Sequence, residues 1–261
     1  MSIYIAKTGL IAQEKQLGNI ANNLANVNTF GFQRKRVEFE ELMYQTERSA
    51  GNVSGDEQRQ ASGVYHGTGV RVAATTTDFS MGQLVATDRE LDIAIEGKGF
   101  IQVTMPSGET GYTRNGALQR NELGELVTAQ GYQVFPLIEI PIEASKINIA
   151  NDGRIYAELA DNSQYEELGQ LELATFTSPE GLRPVGRGIY LESEGSGTAQ
   201  LSIAGEDGAG GILQGILEGS NVSVMNEMIA MMDAQRAFEV SINAVRAVDD
   251  MQKNANQALK A

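Results

Sequence analysis

The sequence predicts an α+β fold. Long N- and C-terminal helices of coiled-coil character pair with each other, a central β-rich domain is built of short strands, and an extended, hairpin-like connector follows the first helix. Three observations carry this. Apolar residues at both ends recur at alternating spacings of three and four. In the middle they recur every second residue between frequent turn signals. All five prolines, Pro106, Pro136, Pro141, Pro179 and Pro184, fall in the middle, so both ends are free to form long elements. The expected division is 1–35 with 222–261 as the helical part, 36–70 as the connector and 71–221 as the β-rich part.

The first helix is expected from Ser2 to Thr29. Ile3, Leu10, Leu17 and Leu24 recur every seven residues, and Ala6, Gln13, Ile20 and Val27 fall between them. Ser2 can serve as N-cap, while Asn28, Thr29 and Gly31 supply the chemistry that stops a helix. About twenty-five residues at 1.5 Å each make a rod near 38 Å, too long and too thinly apolar to be satisfied by a small globular core, so it calls for a partner. Asn19, Asn22, Asn23 and Asn26 are weak helix formers. Their run suggests amides that fix register against specified neighbours. After this helix, 44–69 is the least apolar stretch and has no periodicity, which reads as a linker or an extended hairpin.

Strands follow where the period is two: Val70, Val72 and Ala74; Leu91, Ile93 and Ile95; Ile101 and Val103; Ile147 and Ile149; Leu171 and Leu173; Leu201 and Ile203. Turn signals separate them at 106–108, 121–124, 151–153, 178–181 and the glycine-rich 205–211. The second helix is expected from Val224 to Leu259, with Met228, Met231, Gln235, Phe238, Ile242 and Val245 as its seam. Past Val245 the apolar character moves to Val248 and Met251, so the stripe rotates around the helix.

Charge and composition exclude several function classes. Twenty basic against thirty-four acidic residues give a net charge of −14, and 151–221 holds twelve acids against Arg154, Arg183 and Arg187. That balance repels phosphate backbones, so no nucleic-acid partner is expected. With no cysteine and a single histidine, His66, thiolate sites and any triad or metal site needing two imidazoles are impossible, and no catalytic residue, cofactor or metal is expected. Asp88, Glu90, Asp92 and Glu96 alternate with Leu91, Ile93 and Ile95, so the acids read as the wet face of a strand rather than as a catalytic pair. Gly97 and Gly99 lack the third glycine and following helix of a phosphate loop. Met225, Met228, Met231 and Met232 read as core or subunit-contact filler. There is no basic leader with an apolar run, so any export is expected to proceed without a cleaved signal peptide.

The run ANNLANVNTFGFQR at 21–34 resembles the signature of the bacterial flagellar rod and hook axial family, with Asn22, Asn23, Leu24, Asn26, Asn28, Thr29, Gly31 and Phe32 as the matching motif. The resemblance extends to IAKTGL at 5–10, YQTER at 44–48, GTGVR at 67–71, DIAIEGKGFIQV at 92–103, YTRNG at 112–116 and LEGSNVSVMNEM at 217–228. YQTER, GTGVR and the segment between them look most like the family's distal-rod members.

The resemblance implies an exported structural subunit that polymerises with itself into a straight, rigid helical tube and passes torque to the hook. The implied seams are Ile3, Leu10, Leu17, Ile20, Leu24, Val27, Met228, Met231, Phe238, Ile242 and Val245. The implied partners are further copies, proximal rod and hook proteins, outer-membrane and peptidoglycan ring proteins, and the export apparatus. The implied place is the basal body, from periplasm to outer membrane. A segment at about 46–66, anchored by Val64 and Tyr65 and turning near Gly51 to Gly55, is expected to stiffen the rod. Competing readings are another axial protein (hook or proximal rod), a glycan-acting enzyme, which would need paired carboxylates in a cleft, or a monomeric adhesin.

Overall fold

The computed structural model describes residues 2–48, 53–54, 58–59, 63–159 and 165–258. The chain contains two long helices, α1 (Ser2–Ala25) and α2 (Val224–Ala258), with strands between them. It divides into two compact units: 1–24 with 35–76 and 224–261, and 25–34 with 77–223. These bounds differ from the sequence division. The connector region lies in the helical unit, and the residues just after α1 lie in the β-rich unit.

In the helical unit, α1 begins with Ser2 already helical and ends four residues before Thr29, because 26–28 form a turn. Strand Lys35–Glu41 pairs with Val70–Thr77. Gln45–Arg48 pairs antiparallel with Val64–His66, and Val53–Ser54 with Gln58–Arg59. The described residues of the segment read as linker or hairpin are thus paired as a two-stranded ribbon. Residues 43–47 and 65–67 are open to solvent, which leaves no buried face there to pattern the sequence. Gly51 and Gly55 lie outside the described residues.

The β-rich unit is organised by a nine-stranded sheet. Its centre is Phe100–Thr104, which pairs with Thr110–Thr113 on one side and with both Gln133–Val134 and Glu172–Thr175 on the other. A three-stranded sheet of Ala144–Ile149, Arg154–Leu159 and Tyr165–Gln170 joins it. Ile93, Ile101, Val103, Leu118, Leu126, Ile155 and Leu173 form one core without measurable exposure beyond 2%. A second, aromatic cluster gathers Phe100, Tyr112 and Tyr190, with Phe79 and Phe176 packed edge-to-face against it at 4.9–5.7 Å.

Two strand readings change. Asp92 is buried, not wet: its carboxylate accepts from Thr87 Oγ1 at 2.8 Å, with Arg89 Nη1 3.8 Å away. Ala94 is buried as well, so Ile93–Ile95 is covered on both faces, while Asp88, Glu90 and Glu96 are exposed as the alternation predicts. Leu201 and Ile203 do alternate in Gln200–Ile203, but on an edge strand whose apolar residues point to solvent, Leu201 being 46% exposed.

Burial pushes the Tyr190 phenol up to about 12, with Glu218 adding to the rise and Arg114 opposing it. The folded state therefore holds this proton to higher pH than the unfolded chain does. Stability is full below about pH 10 and falls by about 3 kcal/mol as pH climbs to about 12. Denaturant unfolding across that range is expected to show this loss in the parent and to lack it in Tyr190→Phe, which should match the parent near neutrality.

Candidate assembly interface

Within the helical unit, a polar contact joins α1 to α2. Asn23, buried on α1, donates through Nδ2 to Glu227 Oε2 at 3.3 Å in the first turn of α2. The same amide reads the backbone of Lys35, accepting from its N–H at 3.0 Å and donating to its carbonyl at 2.8 Å. Asn19 donates to that carbonyl too, at 2.8 Å. Two asparagines on successive turns thus replace a strand's ladder for one residue and fix where the ribbon starts. This is the physical content of Asn19 and Asn23 within the asparagine run, and it compensates the poor helix propensity of these two residues.

The seam residues divide into those that face the unit and those that do not. Ile20 is buried, Leu10, Leu17 and Leu24 are half-buried, and the side chain of Ile3 lies outside the described residues. Val27 sits beyond the helix end, in the 26–28 turn. On α2 the covered face runs through Glu227, Met231, Ala234, Phe238, Ile242, Val245 and Val248. Ala234 is buried where Gln235 was expected, and Gln235 is exposed, a shift of one position that the alanine-rich sequence does not reveal. Met228 falls outside this face: with Met225, Ile229 and Met232 it forms a second apolar stripe open to solvent, and Val240 and Met251 are exposed further on.

At the base of the ribbon, Gly69 adopts φ +117, and a β-carbon there would collide with Thr8 of α1. Thr68 Oγ1 donates to the Met43 carbonyl at 2.6 Å, Leu42 N–H to the Gly69 carbonyl at 2.9 Å, and Arg71 reaches Glu40 at 2.9 Å. These contacts account for the GTGVR run. Higher on the ribbon, Val64 is half-buried opposite Arg48 and Tyr65 is exposed opposite Thr46. His66 meets Glu47 at 2.7 Å.

The remaining motif residues converge within the β-rich unit on a buried polar network. Arg114, 2% exposed, donates through Nε to Glu218 Oε2 at 2.8 Å and through its other nitrogens to the carbonyls of Gly99 and Gly97 at 3.3 and 3.0 Å. Glu218 Oε1 accepts from Gln33 Nε2 at 3.0 Å and from Gly82 N–H at 3.2 Å. Asn221 accepts from the Arg34 N–H at 2.7 Å and donates to Gln33 Oε1 and to the carbonyls of Asp78 and Ser80. Gly31, at φ +68, packs where a β-carbon would sit 2.6 Å from Asn115 N, and its N–H donates to the Glu218 carbonyl at 2.8 Å. It is therefore a close-approach glycine of this network rather than the cap of α1. Sequence reasoning missed Arg114, Glu218, Gln33 and Asn221. The usable signal was a single acid closing the otherwise apolar run ILQGILEG, which asks for a buried cation.

Three family models match the chain: "Flagella basal body rod protein" over 3–33, "Flagellar hook protein FlgE/F/G D1 domain" over 94–157 and "Flagellar basal body rod FlgEFG protein C-terminal" over 213–258. The flagellar basal-body rod protein FlgG of Buchnera aphidicola (subsp. Acyrthosiphon pisum) is 42% identical over 98% of both chains. The chain belongs to the flagellar basal-body rod protein family. FlgG of Caulobacter vibrioides is 40% identical over 97% of both chains, and the rod protein FlgF of Escherichia coli 31% over 99% of this chain and 98% of its own. As a rod-family member it is a structural protein of the flagellar basal body, not an enzyme. Among the described residues, no helix is long and apolar enough to cross a membrane.

Removing one member of the network tests its weight. Glu218→Ala leaves Arg114 buried without its counter-charge and is expected to cost about 3–5 kcal/mol in denaturant unfolding. Glu218→Leu with Arg114→Met should recover part of that loss; no recovery would mean the pair acts through more than its charge.

Proposed function

We propose that this rod-family chain is a structural subunit of the distal rod, polymerising through its terminal helices into a straight, rigid helical tube that passes torque to the hook. The observation that carries this reading is the apolar surface left open on α2: Met225, Met228, Ile229, Met232 and Val240 are all exposed. Burial of apolar area is what drives association, and a patch of this kind on a long helix calls for further helices around it. Ile3, Leu10, Leu17, Ile20 and Leu24 with Met228, Met231, Phe238, Ile242 and Val245 belong to the wall of that tube. Its neighbours are more copies of the chain, the proximal rod and hook proteins at either end, and ring proteins of the peptidoglycan layer and outer membrane where the rod crosses the periplasm. The subunit reaches that place through the flagellar export apparatus.

Leu17→Asp or Leu24→Asp puts an unpaired charge into the wall and is expected to abolish polymers in electron micrographs of concentrated protein, while the β-rich unit keeps its unfolding transition. Rods of parental length and abundance would remove the seam from the assembly contact.

The ribbon is the stiffening element in this reading. A joint that bends and a shaft that does not can share a helical wall and differ in how their outer parts are tied, and the paired strands at 45–48 and 64–66 are suited to lie against adjacent subunits. Deleting residues 46–66 is expected to leave polymerisation intact and to give rods that curve or flex. Straight rods from the deletion would refute the assignment.

A further inference from the structure

We infer that a groove between α1 and the ribbon base receives the exposed α2 stripe of a second copy of this chain. This names the contact by which the proposed polymer grows and rests on that proposal. The groove is lined by Tyr4, Thr8, Ile11 and Lys15 of α1 and by Leu42 and Val70 of the ribbon, and encloses a volume near 380 Å³. The stripe is Met225, Met228, Ile229 and Met232, spaced as one face of a helix, with Met225 71% exposed.

Three features select a second copy as occupant. The first is dimension: the groove follows twelve helical residues from Tyr4 to Lys15, about 16 Å, and the stripe covers two turns, about 10 Å, so the stripe lies within the groove. The second is shape. One face is concave and the other convex, they share no residue, and both belong to the same compact unit, so every copy carries both halves of the contact. An interface made of two unlike faces is heterologous, and when its rotation does not close into a ring it generates an open helical filament. The third is charge. Lys15 closes one end of the groove and makes no ion pair among the described residues, while Arg71, 2.9 Å from Glu40, lines its wall. Asp233 borders the stripe and is the acid within reach of Lys15, while Arg236 and Glu239 follow one and two turns beyond Met232 on the same face. The unbranched methionines suit a groove they must fill without a preset fit.

The chain has no cysteine, so introduced thiols report contacts directly. Ile11→Cys and Ile229→Cys chains are to be purified separately, mixed, polymerised and oxidised. The expected result is a covalent dimer in the mixture that neither variant gives alone, and a ladder of covalent oligomers from the double variant. Rods of normal length with no mixed dimer would overturn the pairing and leave the rod assignment standing; a parent chain that never polymerises overturns both. If either thiol variant fails to assemble, charge reversal decides. Lys15→Glu is expected to lower rod yield at least fivefold and Lys15→Glu with Asp233→Lys to restore it, whereas an unchanged yield or an absent rescue counts against the contact.

Discussion

The ion pair of Arg114 and Glu218 is the constraint on which the β-rich unit rests. A guanidinium and a carboxylate removed from water are costly unless nearly every donor and acceptor finds a partner. Here the cation is shared between the carboxylate and loop carbonyls of 97–99, and the second carboxylate oxygen holds Gln33 and the Gly82 amide. Three segments next to points where the chain enters or leaves that unit, 31–34, 78–82 and 218–221, are thereby tied to one place, with Asn221 as the second knot. The aromatic cluster lies directly alongside, the Arg114 guanidinium standing 5.9 Å from the Phe100 ring, so apolar packing and polar satisfaction reinforce one another.

Much of the fold was legible. Heptad-like spacing gave both helices, and period two with turn chemistry gave Phe100–Thr104, Ala144–Ile149 and the glycine-rich turn before Gly211–Gln214, because in each case one buried face filters the sequence. What was not legible has the same cause in reverse. Asp92–Ile95 is buried on both sides, so alternation there mimicked an exposed face and hid Asp92. In the ribbon beyond its base, residues 43–47 and 65–67 are exposed and left no pattern. The end of α1 was overrun by four residues since Asn26 and Val27 keep the apolar and polar order of the helix while their backbone has already turned.

The site was legible only as motifs. Family resemblance marked Asn23, Gly31, the 67–71 run and the 217–228 run, but not what each touches. The contacts are long-range, Asn23 to Glu227 across 204 positions and Gln33 to Glu218 across 185, and local spacing carries no information about such pairs. Once placed, the motifs divide by role: the asparagines start the ribbon, Gly69 lets it pass close to α1, and Arg114, Glu218 and Asn221 gather the crossings of the β-rich unit.

That 185-residue separation also governs when the unit can exist. A chain appears N-terminus first, so Gln33 and Arg114 are present long before the carboxylate they require, and until Glu218 arrives the core strands enclose a cation with no counter-charge. Loop-closure entropy for so distant a partner is paid late in folding. Delayed closure is thus a kinetic property written into the position of a single glutamate.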